Sequence, residues 1–252
     1  MINDTCSPNN LNNDFSCFSK DDLLELTKSL NNYSDINLPI TDSRAELWSN
    51  LYKQLKPKCS SEMCWLKLDF FSTLNPDLQK KLQLFTFKPK IGGPYKWLST
   101  LDINNIMQQY QIIYPEMNYL GALPCDFVNY TKLPEISNTI KFPTVFILNL
   151  DSNKGSGSHW VGVYVNNNCI EYFDSLGKRP NKCIYRTFDK LFPEFDIVYN
   201  KIVHQLRNSQ CGVYSIYFIL QRLLGKSFKD ISNNVIRDKS MLKFRRYLFN
   251  LN

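Results

Sequence analysis

One stretch of the chain decides the fold, and at residues 205–225 it reads QLRNSQCGVYSIYFILQRLLG. Its apolar residues recur at the spacing of a buried helix face. They are Val213, Ile216, Tyr217, Leu220, Leu223 and Leu224. Gly225 supplies a stop at the carboxyl end. The sequence therefore predicts a helix that begins at or beside Cys211 and is buried against the rest of the fold.

Cys211 has the position of a reactive cysteine. A thiol at a helix start feels the positive end of the helix dipole and unpaired backbone N–H groups, and both favour the nucleophilic thiolate. Cysteine is also a common small buried hydrophobe at such places, so this stretch alone leaves both interpretations open. A nucleophilic thiolate would need a base, and the base an orienting group.

His159 is the candidate base, because it opens a β-branched and aromatic strand, residues 160–165, after a glycine-serine loop. A turn signal at residues 166–168 separates this strand from a second one, residues 169–175, which contains Asp174. In a hairpin of this kind, the numbers of opposed residues sum to about 333 to 335. His159 then faces positions 174 to 176, where the Asp174 carboxylate can reach the imidazole. A Cys-His-Asp constellation is thus available.

The other histidine, His204, lies next to Gln205 in an extended segment, so only one of the two side chains can point toward Cys211. We assign that face to Gln205. Its amide, together with the backbone N–H of Cys211, would supply two donors for an oxyanion on an attacked carbonyl. His204 is then expected to be a packed or partly exposed histidine.

The order of these residues resembles the adenain-like and SUMO-deconjugating cysteine peptidases. Within that clan it is most similar to the polyprotein-processing proteases of large nucleocytoplasmic DNA viruses, of the African swine fever virus type. The similarity lies in GSHWVG at 157–162, IEYFDS at 170–175, residues 205–215 and KFRRYLF at 243–249. WLSTLDINNI at 97–106 resembles the opening of the clan's catalytic domain.

The resemblance implies an α+β, adenain-like (circularly permuted papain-like) fold and a cysteine endopeptidase that needs no metal or cofactor. It implies catalysis by Cys211, His159 and Asp174 with Gln205 at the oxyanion, and substrate binding at Trp97 and Trp160. Trp97 would cover the substrate channel, although a core tryptophan is an equally good interpretation. The implied substrates are viral structural polyproteins cut at glycine-containing, Gly-Gly-Xaa-like sites during virion maturation. The implied locations are host cytoplasm, at viral assembly sites, and the virion.

This chain departs from the pattern of the clan at one position, and the departure leaves the identity of the substrate open. The cellular deconjugating enzymes usually carry Asp before the catalytic cysteine, whereas this chain has Gln210. An isopeptidase that removes ubiquitin-like modifiers is therefore an alternative. A second alternative is a non-catalytic binding module of the same fold, or a relative that transfers acetyl groups.

The hydrophobic pattern predicts two parts: a helical, arm-like region at 1–90 and the peptidase domain at 91–252. In the second part, strands at 142–150, 160–165, 169–174 and 195–200 predict a mostly antiparallel central sheet flanked by helices. Helices are expected at 101–110, 181–192 and twice within 226–248. Residues 1–18 are polar and expected to be mobile or loosely packed.

The charge distribution and the cysteines limit the kinds of partner and the redox state that the sequence predicts. Residues 91–252 hold 19 Lys/Arg and 12 Asp/Glu, so this part carries the whole net charge of +7. That surplus predicts either weak nucleic-acid contact or simply a solvated surface. The sequence shows neither a secretory signal nor a membrane span. We therefore expect the eight cysteines to be reduced, and the spacing of Cys59 and Cys64 argues against zinc. The oligomeric state is not predicted.

Overall fold

The computed structural model describes residues 5–8, 10, 14–131, 140–166, 169–207 and 209–251. The chain divides into two compact units, Met1–Pro89 and Lys90–Asn252. Within the described ranges, no helix is both long and apolar enough to cross a membrane.

The first unit is helical. Its elements are α1 (Lys20–Ser34), α2 (Arg44–Leu55), α3 (Glu62–Trp65), a 3-10 helix (Asp69–Thr73) and α4 (Pro76–Phe85). Ser19 caps α1, because its hydroxyl accepts a hydrogen bond from the N–H of Asp22 and the Asp22 carboxylate accepts one from the N–H of Ser19. The helices enclose a core of their own, which includes Trp65 and Phe18.

The prediction of a loosely packed amino-terminal segment is wrong for its described residues. Cys6 and Cys17 form a disulfide, and both are buried with Ser16. The buried carboxylate of Glu62 accepts hydrogen bonds from the Ser16 hydroxyl, the Cys17 N–H and the Trp48 indole N–H. Burial raises the pKa of Glu62. Polar composition was misleading here, because these polar groups are paired with one another inside the unit.

The second unit contains the sheet. In chain order it comprises β1 (Lys90–Ile91), α5 (Thr100–Ile113), β2 (Asn118–Pro124), a 3-10 helix (Phe127–Asn129), β3 (Thr144–Asn149), β4 (Trp160–Val165), β5 (Cys169–Phe173), α6 (Lys182–Leu191), β6 (Asp196–Tyr199), α7 (Cys211–Leu223), α8 (Phe228–Asn233), α9 (Asp238–Leu248) and β7 (Asn250–Leu251). Every strand and helix expected in residues 91–252 is present within a few residues of its predicted bounds.

The central sheet has the order β2-β3-β4-β5-β6. The two inner pairings, β3 with β4 and β4 with β5, are antiparallel, but the two outer pairings are parallel. The sheet is therefore mixed rather than mostly antiparallel, and the α+β class is confirmed. The parallel pairing of β5 with β6 arises because α6 crosses between them, as a parallel connection requires. The pairing of β2 with β3 was not predicted, since no strand was expected at 118–124.

Helix α7 packs on the inner strand β4. A side chain at Gly162 would place its Cβ 2.9 Å from the Phe218 ring and 3.1 Å from the carbonyl oxygen of Ser215. Only glycine allows the helix to approach this closely. Farther along, Arg222 forms a bidentate ion pair with Glu171 of β5, with N–O distances of 2.5 and 3.0 Å. The helix is thus fixed to the sheet at its middle and at its last turn.

The expectation of reduced cysteines is also wrong. Besides the pair in the amino-terminal segment, Cys59 forms a disulfide with Cys64, and Cys125 forms one with Cys183. The last two residues are 58 positions apart in sequence. Spacing along the chain could not show that the turn after β2 and the start of α6 meet in space. Cys169 and Cys211 are free.

We expect Gly162→Ala to destabilise the protein by about 1–3 kcal/mol, because the added methyl group must displace either the Phe218 ring or the backbone of α7. Urea unfolding measures the change in free energy. Val198→Ala, at an exposed position on β6, is the control and should change stability by less than about 0.5 kcal/mol. Equal stability of Gly162→Ala and wild type would contradict the close approach.

Candidate active site

Cys211 is the first residue of α7, as the sequence predicts. The side chain of Gln210, at the N-cap, makes no capping hydrogen bond. The first N–H groups of the helix are therefore not satisfied by the residue that usually caps them. Cys211 is only 3% exposed, so burial alone would fit a structural cysteine equally well. It lies close enough to His159 to raise the pKa of the imidazole, and that proximity favours a reactive cysteine over a merely structural one.

The hairpin that carries His159 has the predicted register. Gly162 lies opposite Phe173 and Val163 opposite Tyr172, so that the numbers of each pair sum to 335. His159 immediately precedes β4 and Asp174 immediately follows β5. The imidazole Nε2 lies 2.7 Å from Oδ1 of Asp174. Since Nε2 is engaged by the carboxylate, Nδ1 is the ring nitrogen left for Cys211.

The backbone of Asp174 is fixed by Asn200, a residue that the sequence did not single out. Asn200 accepts a hydrogen bond from the N–H of Asp174 and donates one to its carbonyl oxygen, at 2.8 and 2.7 Å. Oδ1 of Asp174 also accepts the N–H of Leu176. Asp174 is 1% exposed and Asn200 2% exposed. The carboxylate that meets His159 is therefore held in one orientation by buried neighbours.

Two opposing effects set the charge of His159. Burial lowers the pKa of its imidazole, but the hydrogen bonds and charges of Asp174 and Cys211 outweigh burial and raise the pKa to about 9. A protonated imidazole is therefore stabilised between a carboxylate and a sulfur atom.

The side chain of Gln205 is held by Ser175, the residue that follows Asp174. The Ser175 hydroxyl donates to Oε1 of Gln205 at 2.7 Å, and the Ser175 carbonyl accepts the N–H groups of His204 and Gln205. Because Oε1 is occupied, the amide nitrogen must point away from Ser175, where it donates to the carbonyl of Arg207. Gln205 is buried, and its amide is oriented as a donor.

His204 is packed, as expected. It is 2% exposed, and its ring lies 5.1 Å from the ring of Phe173. Nδ1 accepts the N–H of Ile236, and Nε2 has no hydrogen-bond partner among the described residues. Burial lowers the pKa of His204.

The two tryptophans line one cavity of about 460 Å³, together with Ser99, Asn149, Asp151 and Gly157. Trp97 is 47% exposed, so the alternative of a core tryptophan is wrong. Trp160 is 7% exposed and donates its indole N–H to the carbonyl of Leu98 at 2.9 Å. His159, Asp174 and Cys211 are not among the residues that line this cavity, but Trp160 directly follows His159 in the chain.

No metal cluster is found in the part of the chain that the structure describes, where no three His, Cys, Asp or Glu side chains come close enough to hold an ion. Independence of metals and cofactors stays a prediction.

The mixed sheet flanked by helices, with Cys211, His159 and Asp174 brought together at one edge, fits a cysteine peptidase, and comparison with known proteins narrows the class. Residues 143–252 match the Ulp1 protease family, C-terminal catalytic domain. Protein R355 of Acanthamoeba polyphaga mimivirus, provisionally named a thiol protease, is 33% identical over 93% of this chain and 89% of its own length. Cysteine protease S273R of African swine fever virus (isolate Tick/Malawi/Lil 20-1/1983) is 32% identical over 82% of this chain and 88% of its own.

The fold agrees with a solved relative. The crystal structure of the selenomethionine form of the African swine fever virus pS273R protease superposes with a TM-score of 0.69 and 24% identity, over 99% of this chain and 96% of that one. The chain belongs to the Ulp1-related family of viral cysteine proteases.

The raised pKa of His159 predicts a pH dependence of stability. Its value in the folded protein is about 9, against an ordinary value of 6.5. The proton is bound more tightly in the folded state, so this contribution to stability is complete below pH 6.5 and is lost as the pH rises toward 9. We expect the free energy of unfolding to fall over that range, as measured by urea titration at successive pH values.

His159→Gln is the control, because it removes the titrating group and should remove this component of the pH dependence. Identical pH dependence of wild type and variant would contradict the raised pKa.

Proposed function

We propose that this protein is an endopeptidase that cleaves viral structural polyproteins at glycine-containing, Gly-Gly-Xaa-like sites during virion maturation. Cys211 is the nucleophile, His159 the general base and acid, Asp174 the group that orients the imidazole, and Gln205 an oxyanion donor. The observation that carries this proposal is the position of His159, whose Nε2 lies 2.7 Å from Oδ1 of Asp174 and whose pKa is raised by the neighbouring Cys211 side chain as well.

In the first half of the reaction, His159 already holds the proton that the Cys211 thiol gives up before the attack, since the raised pKa of the imidazole favours this transfer. The sulfur then attacks the carbonyl carbon of the scissile bond. The carbonyl oxygen becomes an oxyanion, which the Gln205 amide and the Cys211 backbone N–H would stabilise. As the C–N bond breaks, protonated His159 gives its proton to the departing amine, and an acyl-enzyme thioester remains on Cys211.

In the second half, His159 removes a proton from water, which attacks the thioester carbon. The C–S bond breaks, the carboxyl product leaves, and Cys211 recovers its proton. Asp174 remains a carboxylate throughout and stabilises the imidazolium each time it forms. The Leu176 N–H donates to that carboxylate, and Asn200 accepts the N–H of Asp174 and so fixes its backbone.

The substrate would run past Trp97 and Trp160. Glycine beside the scissile bond would let the substrate backbone approach closely between bulky side chains. Structural polyproteins as substrates follow from the resemblance to the viral processing enzymes. That substrate class would place the enzyme at assembly sites in the host cytoplasm and in the virion.

All of the proposed catalytic residues belong to the second unit. For residues 1–90 we propose an accessory role, in substrate docking, particle attachment or support of the peptidase domain. The net charge of +7 carried by residues 91–252 supports weak contact with nucleic acid as a further proposal.

An isopeptidase acting on ubiquitin-like modifiers is the second candidate. One relative from African swine fever virus, 24% identical over 82% of this chain, is named a SUMO-1 cysteine protease. Modifiers of this class end in Gly-Gly, so the same channel would accept them. Absence of turnover on every substrate by a folded protein would instead favour the non-catalytic alternative.

We expect Trp97→Ala to lower kcat/KM on peptides by roughly tenfold, mainly through a higher KM, because an aromatic contact with the substrate is lost. Tyr95→Ala is the matched control, since Tyr95 is an exposed aromatic residue of the same segment but does not line the cavity. Equal effects of the two substitutions would argue that Trp97 does not bind substrate.

The proposal as a whole is tested on a panel of short peptides with Gly-Gly-Xaa sites, beside a ubiquitin-like fusion. We expect Cys211→Ala and His159→Ala each to lower kcat by roughly 10⁴-fold or more. Cys169→Ala is the matched control, because Cys169 is the other free cysteine of the described residues, and it should retain activity.

Cleavage confined to the fusion would rank the isopeptidase first. Activity that persists in Cys211→Ala would overturn the catalytic assignment, and equal cleavage of sites with bulky residues in place of glycine would overturn the specificity.

A further inference from the structure

Arg245, on α9, is a fully buried cation. Its side chain is 0% exposed, and its guanidinium donates to the carbonyl oxygens of Gly93 and Lys96 and to Oε1 of Gln210. The Gly93 and Gln210 distances are 3.1 and 3.4 Å. Burying an arginine whose three hydrogen-bond partners are all neutral acceptors is energetically costly. A buried guanidinium of this kind points to a specific structural or functional role.

Among the described residues, no carboxylate lies within ion-pair distance of Arg245, and its Nε has no hydrogen-bond partner. Burial lowers the pKa of Arg245 to about 10, while the charges of Asp102 and Cys211 act in the opposite direction. The side chain therefore stays positively charged at neutral pH, close enough to Cys211 for their charges to interact.

The two backbone acceptors of Arg245, the carbonyl oxygens of Gly93 and Lys96, belong to residues 93–98, the segment that carries Trp97. Helix α9 continues into β7, which pairs with β1 at the start of the same segment. At the end of the segment, Trp160 donates to the carbonyl of Leu98. The backbone before and after Trp97 is therefore fixed by side chains from two other elements.

Gln210 links this segment to the candidate nucleophile. Its Oε1 accepts from Arg245, and its Nε2 donates to the carbonyl of Pro94 at 2.8 Å. Gln210 is 1% exposed and is the N-cap of the helix that begins at Cys211. The same amide thus contacts both Arg245 and the segment, directly before Cys211. Next to it, a Cβ on Gly212 would lie 3.2 Å from the Leu98 side chain, so the segment and the helix start are in close contact.

We propose that Arg245 is a positioning residue of the active site, which acts through Gln210 and the carbonyl oxygens of Gly93 and Lys96. It fixes the start of the Cys211 helix relative to the segment that carries Trp97. This inference rests on the proposed catalytic role of Cys211. It also explains Gln210 at the position where the cellular enzymes carry Asp, because a neutral amide can accept from Arg245 and donate to Pro94 at once, whereas a carboxylate can only accept.

The test compares Arg245→Met, Arg245→Lys and Lys243→Met on the peptide that the wild type cleaves best. Active-site titration with an irreversible thiol reagent gives the concentration of competent enzyme. We expect Arg245→Met to lower kcat per titrated site by roughly 10²-fold, because small displacements of a catalytic geometry have effects of this size. Arg245→Lys, which keeps the charge but not the planar fork, should recover part of that loss.

Lys243→Met is the matched control, since it removes one exposed positive charge from the same helix and should leave kcat unchanged. A merely structural role predicts a lower melting temperature with an unchanged kcat per titrated site. That outcome would overturn the proposal. If Arg245→Met does not fold, Arg245→Lys and Gln210→Ala decide it by the same measurement.

A double-mutant cycle with Gln210→Ala tests the route of the effect. If Arg245 acts through Gln210, Arg245→Met should cause a smaller loss of kcat in the Gln210→Ala background than in the wild type. Equal losses in both backgrounds would overturn that route. Failure of the proposed function would differ from failure of the Arg245 proposal, because it would appear in the wild type. In that case the wild type would show no turnover that depends on Cys211.

Discussion

The close approach of α7 to β4 at Gly162 is the constraint on which the rest of the second unit depends. The helix that begins with Cys211 lies on the strand that His159 precedes, and no side chain at position 162 separates the two backbones. Because the helix is also fixed to β5 through Arg222 and Glu171, its direction across the sheet is determined at two points. The start of the helix therefore comes to the edge of the sheet where His159 and Asp174 lie.

That edge contains a sequence of buried hydrogen bonds in which each residue orients the next. Asn200 fixes the backbone of Asp174, Asp174 fixes the imidazole of His159, and Ser175 fixes the amide of Gln205. The network is not fully satisfied, because Oδ2 of Asp174 is buried without a hydrogen-bond partner among the described residues, so Asp174 is held through Oδ1 and its backbone. The residues that hold the site in place thus come from the ends of β5 and β6 as well as from α7.

The sequence predicted the parts of this arrangement that depend on local pattern. The period of apolar residues placed the start of α7, and the length of the turn fixed the hairpin register that brings His159 to Asp174. Contacts between distant segments were beyond local pattern. Cys125 and Cys183 meet only because the turn after β2 lies beside α6, and the Ser16–Glu62 hydrogen bond orders a segment whose composition is typical of a loose one. Asn200 and Ser175 were missed for the same reason, because their importance lies in their partners.

The two histidines are the same residue type, but their surroundings in the fold decide which of them can act as a base. Both are almost fully buried, and burial alone lowers the pKa of an imidazole. His204 follows that rule, because Nδ1 meets a neutral backbone N–H and its ring packs on Phe173. His159 departs from it, because Asp174 and Cys211 reverse the effect of burial and raise its pKa. A general base must take up a proton beside the sulfur and later release it, so both its protonated and its neutral form must be accessible. Of the two histidines, only His159 has surroundings that allow this. The Asp174 carboxylate creates that difference, and its own position follows from the register of a single hairpin.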